Sequence, residues 1–152
     1  MAQKVKTIKV LLAQFPLETH SRGLITVASM LRDAGMEVVL IGNELPERII
    51  NTAVQEDVDV IGISTYCGGE LELGSDLLKA AEEKGIKDST VFLIGGIFPP
   101  NDSDKLKKLG FSGTFLSATQ EEIVACINES LAAKRAAPKK AGGTSKKEAR
   151  KA

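Results

Sequence analysis

The sequence is poor in the residues that usually announce a function. It holds one histidine, one tyrosine, two cysteines and no tryptophan. With five Phe as the only other aromatics, any core must be aliphatic. Cys67 and Cys126 are too few for a disulfide framework, which predicts a reducing compartment. No run of 18 apolar residues occurs and no signal-peptide pattern follows Met1, so a cytoplasmic protein with no membrane span is expected. Twenty Lys/Arg and twenty Asp/Glu cancel. No global field then points to nucleic acid. At 152 residues the chain suffices for one domain with a real core.

The cancelled charge conceals an asymmetry. From Ala136 the sequence reads "AAPKKAGGTSKKEARKA", with six Lys/Arg against Glu148 alone and no large apolar residue. Such a segment cannot bury enough surface to offset its ordering entropy. The expected organisation is therefore a domain over 1–135 and a disordered basic tail over 136–152. The tail reads as solubilising, with a docking arm for an acidic partner or a loose nucleic-acid contact as the alternatives.

What is present is alternation. Five apolar runs, "TIKVLLA", "EVVLIG", "VDVIGIS", "TVFLIGG" and "GTFL", are separated by helical patterns. The first four are nearly continuous, as expected for strands covered on both faces. Leu24, Val27, Ala28 and Leu31 share one helical face, closed by Gly35. Pro46 can open a second helix with Ile50, Ala53 and Val54 inward. Gly74, Leu77, Leu78 and Ala81 line a third, ended by Gly85. A fourth is expected over Asp102 to Leu109. Thr119 and Glu122 form a capping box for a fifth that buries Ile123, Cys126 and Ile127. The fold class is α/β, a doubly wound five-stranded parallel sheet in the flavodoxin-like order 2-1-3-4-5. In such sheets ligands bind beyond the carboxyl ends of the strands. His20, "STYCGG", "GGIFPP" and "SAT" all fall on that edge.

The lone His20 sits in the loop after the first strand. A neutral imidazole can be a base, a donor or a metal ligand, and a carboxylate on its other nitrogen fixes the tautomer and raises basicity. Glu18, two residues away, can supply that carboxylate; a turn histidine beside an acid by chance is the plain alternative. One histidine cannot build an ordinary zinc site, even with Cys67 brought near. A Cys67–His20 nucleophile pair is geometrically possible, although a spectator thiol is the commoner case. A metal already held by a macrocycle needs only one axial ligand. Gly95 and Gly96 at a strand end would let a bulky ligand lie against backbone, where the plain alternative is a tight turn. Ser64 and Thr65 would place hydroxyls in the same cleft, or simply cap the strand. Two other doubly wound readings fail: a phospho-receiver needs an aspartate where Ser64 stands, and "QFPLETH" is not the phosphate loop of a flavodoxin.

The order His-x-x-Gly after strand one, Ser-x-x after strand three and Gly-Gly after strand four resembles the cobalamin-binding domain of the adenosylcobalamin-dependent acyl-CoA mutases. The resemblance runs from about Lys9 to Ile127 and includes "LRDAGMEVV" and "AVQEDVDVIGIS". It implies a cobalamin whose own nucleotide arm leaves the cobalt and enters a slot beside the sheet, with His20 as the lower axial ligand and only metal ligand. Glu18 would stand in for the family's aspartate. Ser64, Thr65, Gly95 and Gly96 would line the slot. Ser21, Arg22 and Gly23 complete the histidine motif, Tyr66 and Gly68 follow the serine, and Phe115 and Thr119 fall where the family has contacts after strand five. Three positions depart from the pattern: Glu18 is one methylene longer than aspartate, Gln14 replaces a lysine, and Tyr66 replaces a small apolar residue. No substrate barrel is present in the sequence. The resemblance therefore implies a small subunit, carrying no catalytic residue of its own, that works with a large barrel subunit of the mutase. The alternative is a non-catalytic corrinoid carrier or sensor, or a methyl-transferring corrinoid protein.

Overall fold

The computed structural model of the chain describes residues 6–66 and 68–137. Cys67 and the segment from residue 138 onward, on which the nucleophile-pair reading and most of the tail reading fall, lie outside the described residues. Strands and helices alternate five times: β1 (Lys9–Gln14), α1 (Arg22–Asp33), β2 (Glu37–Asn43), α2 (Pro46–Glu56), β3 (Val60–Thr65), α3 (Glu70–Glu83), β4 (Val91–Gly96), α4 (Pro100–Leu109), β5 (Gly113–Phe115) and α5 (Gln120–Ala136). The sheet is parallel throughout, in the order β2-β1-β3-β4-β5. Among the described residues, no helix is long and apolar enough to cross a membrane.

Strand alternation divides the core in two. Leu11, Ala13, Ile61, Ile63, Phe92 and Ile94 pack with α2, α3 and α4. Val10, Leu12, Val60, Val91 and Leu93 face α1 and α5. The inner strands β1, β3 and β4 are buried along almost their whole length, as continuous apolar runs require.

Several details differ from the sequence reading. β2 is an edge strand, so Glu37, Leu40 and Asn43 are exposed and its other residues only half-buried. In α2 the inward residues are Pro46, Ile49, Ile50 and Ala53, a spacing that leaves Val54 on the outer side. α4 begins at Pro100 rather than Asp102, because a proline at the first helical position forfeits no hydrogen bond. Cys126 is only half-buried on α5. That helix also runs one residue into the expected tail. Thr119 does cap it, accepting from the Glu122 N–H at 3.2 Å.

Two features of the carboxyl edge constrain the chain. Gly96 has φ of 144°, and a Cβ there would lie 1.7 Å from the Thr65 carbonyl oxygen, so no other residue fits. At the first turn of α3, on the α2–α4 side of the sheet, Glu70 is buried. Burial, followed by a hydrogen bond to the Asp102 carboxyl of α4, raises its pKa above 4.5. A raised folded-state value means that stability from the shared proton is complete below the unfolded pKa. It is lost as pH rises through the folded value. Glu70→Gln keeps the shape and a donor for Asp102 without the charge. The variant is expected to exceed the wild type in urea-unfolding stability at pH 7 by about 1 kcal/mol, with the gap closing toward pH 4.

Candidate functional site

The site is built on the turn that follows β1. Phe15, Pro16, Leu17 and Glu18 form a tight turn closed by the Glu18 N–H donating to the Phe15 carbonyl at 3.3 Å. Leu17 at its third position has φ of 69°. That conformation, with proline before it, is of the type II kind, in which glycine is usual at this place. The turn sends the Glu18 side chain inward while His20 emerges at the surface. The Glu18 carboxyl group is 1% exposed and the imidazole 63%.

Glu18 is the anchor of the loop. Its Oε2 accepts the His20 backbone N–H at 3.1 Å and lies 2.8 Å from His20 Nδ1. Its Oε1 accepts the Tyr66 backbone N–H, tying the loop after β1 to the end of β3. With Nδ1 donating to the carboxylate, the lone pair of Nε2 is free on the far side of the ring. The Gln14 side-chain amide donates to the His20 carbonyl at 2.5 Å and steadies the same loop from below. The extra methylene of Glu18, relative to aspartate, is taken up within this arrangement. The Tyr66 ring lies 5.3 Å from the imidazole, tilted by 45°. Its hydroxyl occupies the space a Cβ on Gly23 would need, at 2.9 Å.

Beside His20 a cavity of about 560 Å³ opens between α1, α5 and the sheet. Its deep walls are aliphatic, formed by Val10, Leu12, Leu24, Val27, Leu93 and Ile123. Its mouth is more polar, with Arg22, Ser64, Tyr66 and Ser117 beside the imidazole. Gly62 and Gly95 lie on its wall, and neighbouring atoms leave neither position room for a side chain. A Cβ on Gly62 would strike Leu12 Cδ2 at 2.7 Å, and one on Gly95 would stand 3.2 Å from the Phe115 carbonyl oxygen. The size falls in the range of small-ligand pockets, and an apolar wall with a few polar groups at the rim is their usual chemistry.

Of the residues singled out in the sequence, the structure brings His20, Arg22, Gly23, Ser64, Tyr66, Gly95, Gly96 and Phe115 to the wall of this cavity. Gln14 and Glu18 stand behind His20. Thr65, Thr119, Ser21 and Gly68 do not line the cavity. Thr65 follows Ser64 on a strand and so projects to the opposite face, where it is buried. The Thr119 hydroxyl is used on the first turn of α5. Ser21 is the exposed residue preceding α1, and Gly68 lies on an exposed loop. The aliphatic wall residues carry no chemical signal and read in the sequence only as core; Gly62 reads only as part of a strand. Among the described residues, no three His, Cys, Asp or Glu converge as a metal-binding group.

Comparison with known proteins agrees with this geometry. Residues 8–127 match the B12 binding domain family. The chain is 40% identical over 131 residues to the 2-hydroxyisobutanoyl-CoA mutase small subunit of Aquincola tertiaricarbonis, covering 86% of this chain and 96% of that protein. It is 36% identical over 125 residues to the pivalyl-CoA mutase small subunit of Xanthobacter autotrophicus, covering 80% and 82%. Among solved structures, a cobalamin-binding protein from Desulfitobacterium hafniense superposes with a TM-score of 0.71 at 18% identity, over 82% of this chain and 60% of that one. At that identity the likeness shows the fold.

Proposed function

The chain belongs to the B12-binding domain family, and on that premise we propose that it is the cobalamin-holding small subunit of a two-component acyl-CoA mutase. The observation that carries the reading is the pairing of one exposed, carboxylate-anchored imidazole with an aliphatic cavity at its side. Neither feature alone is specific. Together they match a cofactor that presents a metal needing one more ligand and a side arm needing a dry slot.

The residues present fit such a group. His20 Nε2 would be this chain's donor to the cobalt of a base-off cobalamin. Glu18 holds the ring in the required tautomer and, by accepting the Nδ1 proton, raises the basicity of Nε2. The cavity beside it would take the side arm, with Leu12, Val27 and Leu93 as an apolar lining. Ser64 would offer a hydroxyl and Arg22 a cation to the cofactor's side arm, whose phosphodiester is anionic. Bound adenosylcobalamin supplies the radical chemistry of a 1,2-carbon-skeleton rearrangement, which belongs to the cofactor rather than to any side chain here. This chain's task is to bind, orient and desolvate. The acyl-CoA and the reacting carbon atoms fall to a larger barrel subunit. A cytoplasmic location accords with the scarcity of cysteine.

Three measurements test the reading. Wild-type chain mixed with hydroxocobalamin is expected to give the absorbance of a base-off, histidine-ligated species. His20→Ala should lose that signature while keeping its far-ultraviolet circular dichroism, and an unchanged spectrum would remove His20 from the cobalt. Val27→Trp, which adds bulk at the cavity wall, should weaken binding by about tenfold or more. Finally, chain loaded with adenosylcobalamin should isomerise an acyl-CoA only when the large subunit is added. Failure with that partner, combined with methyl transfer to another, would favour the methyl-transferring corrinoid alternative.

A further inference from the structure

Asn43 ends the edge strand β2, away from the cavity and outside every motif of the binding loop. Its position there is produced by an irregularity. Leu12 pairs with Leu40 but Ala13 pairs with Gly42, so β2 carries one extra residue at this point. Gly42 has φ of 75°, the left-handed conformation that lets the strand bulge. The bulge advances β2 by one place and sets Asn43 opposite Gln14, beside the turn that leads to His20.

From there the Asn43 side-chain nitrogen donates to two carbonyl groups, Phe15 at 3.0 Å and Glu18 at 2.6 Å. These are the first and fourth residues of the same turn, so one amide spans it from end to end. The turn needs support, because Leu17 sits at φ of 69°, where a side chain with a Cβ is disfavoured. The backbone of Glu18 is thereby fixed before its carboxylate reaches the His20 ring and the Tyr66 N–H. Only an amide or a comparable double donor of this reach can serve both carbonyls; a carboxylate would repel them.

We propose that Asn43 is a positioning residue, which acts through the Phe15–Glu18 turn to hold Glu18, and with it the tautomer and orientation of the His20 imidazole, before any cofactor arrives. The ligand-binding part of this proposal rests on the cobalamin reading above; the part about the ring does not.

The experiment uses the full chain and Asn43→Ala, with Asn43→Asp as a second variant that keeps the size of the side chain. In the cofactor-free proteins, ¹⁵N chemical shifts of the imidazole at neutral pH should show a single Nδ1-protonated tautomer in the wild type. Both variants should show a shift toward the mixture of a free histidine. With hydroxocobalamin as the probe, the variants should bind about tenfold more weakly, as for loss of a group that orients a metal ligand. Their melting temperatures should stay within about 3 °C of the wild type. In a His20→Ala background, Asn43→Ala should leave the residual affinity unchanged. Wild-type ring shifts in the variants would overturn the proposal. So would an equal loss of affinity with and without His20, which would make Asn43 a purely structural residue. A wild-type chain that fails to bind hydroxocobalamin would overturn the cofactor reading, while the ring shifts still decide the role of Asn43.

Discussion

A single buried carboxylate holds this site together. Glu18 accepts the backbone N–H groups of His20 and Tyr66 and the Nδ1 side of the imidazole. Each contact is charge-assisted, and hydrogen bonds of that kind are roughly twice as strong as neutral ones. Remove the carboxylate and two backbone donors lose their partner, the loop after β1 parts from the end of β3, and the imidazole has no fixed orientation. Its burial is bearable only because its oxygens are occupied, since an ionised group out of water is costly unless fully bonded.

Beside that anchor lies an apolar cavity between the sheet, α1 and α5, next to the only imidazole in the chain. Gly62 and Gly95, on adjacent central strands, let Leu12 and the Phe115 carbonyl approach the sheet closely along its wall. The oriented imidazole and the apolar cavity are thus built by separate means, a polar anchor and aliphatic packing. They meet at the carboxyl edge because β1 and β3 are neighbours in the sheet and their following loops diverge to opposite faces.

The division of labour with a larger subunit follows from the same economy. Apart from His20, Arg22 and Tyr66, the described residues of the cleft offer hydroxyls, glycines and apolar groups rather than an acid–base apparatus. The acid pair of Glu70 and Asp102 lies on the other side of the sheet, where it serves the contact between α3 and α4. A chain so furnished suits the binding and positioning of a cofactor that carries its own reactivity.

Much of this was written in local pattern. Apolar runs alternating with amphipathic helices dictate a parallel α/β sheet, because strands buried on both faces and helices with one apolar stripe have few other ways to pack. His20 and Glu18 at a spacing of two, and glycines at strand ends, are equally local and were visible as a candidate site. Local pattern could not say that Thr65 turns away while Ser64 turns in, nor that Thr119 is consumed as a cap, because strand phase and capping geometry are settled only when the elements dock. Nor could it reach Asn43, which lies 25 residues from Glu18 and arrives beside it through a bulge in a neighbouring strand. The sequence alone was enough for the elements, their order and the candidate histidine, all consequences of short-range periodicity and chemistry. Only tertiary structure decided the slot, the carboxylate anchor and the amide that spans the turn, because each depends on atoms that the chain separates and the parallel sheet brings together.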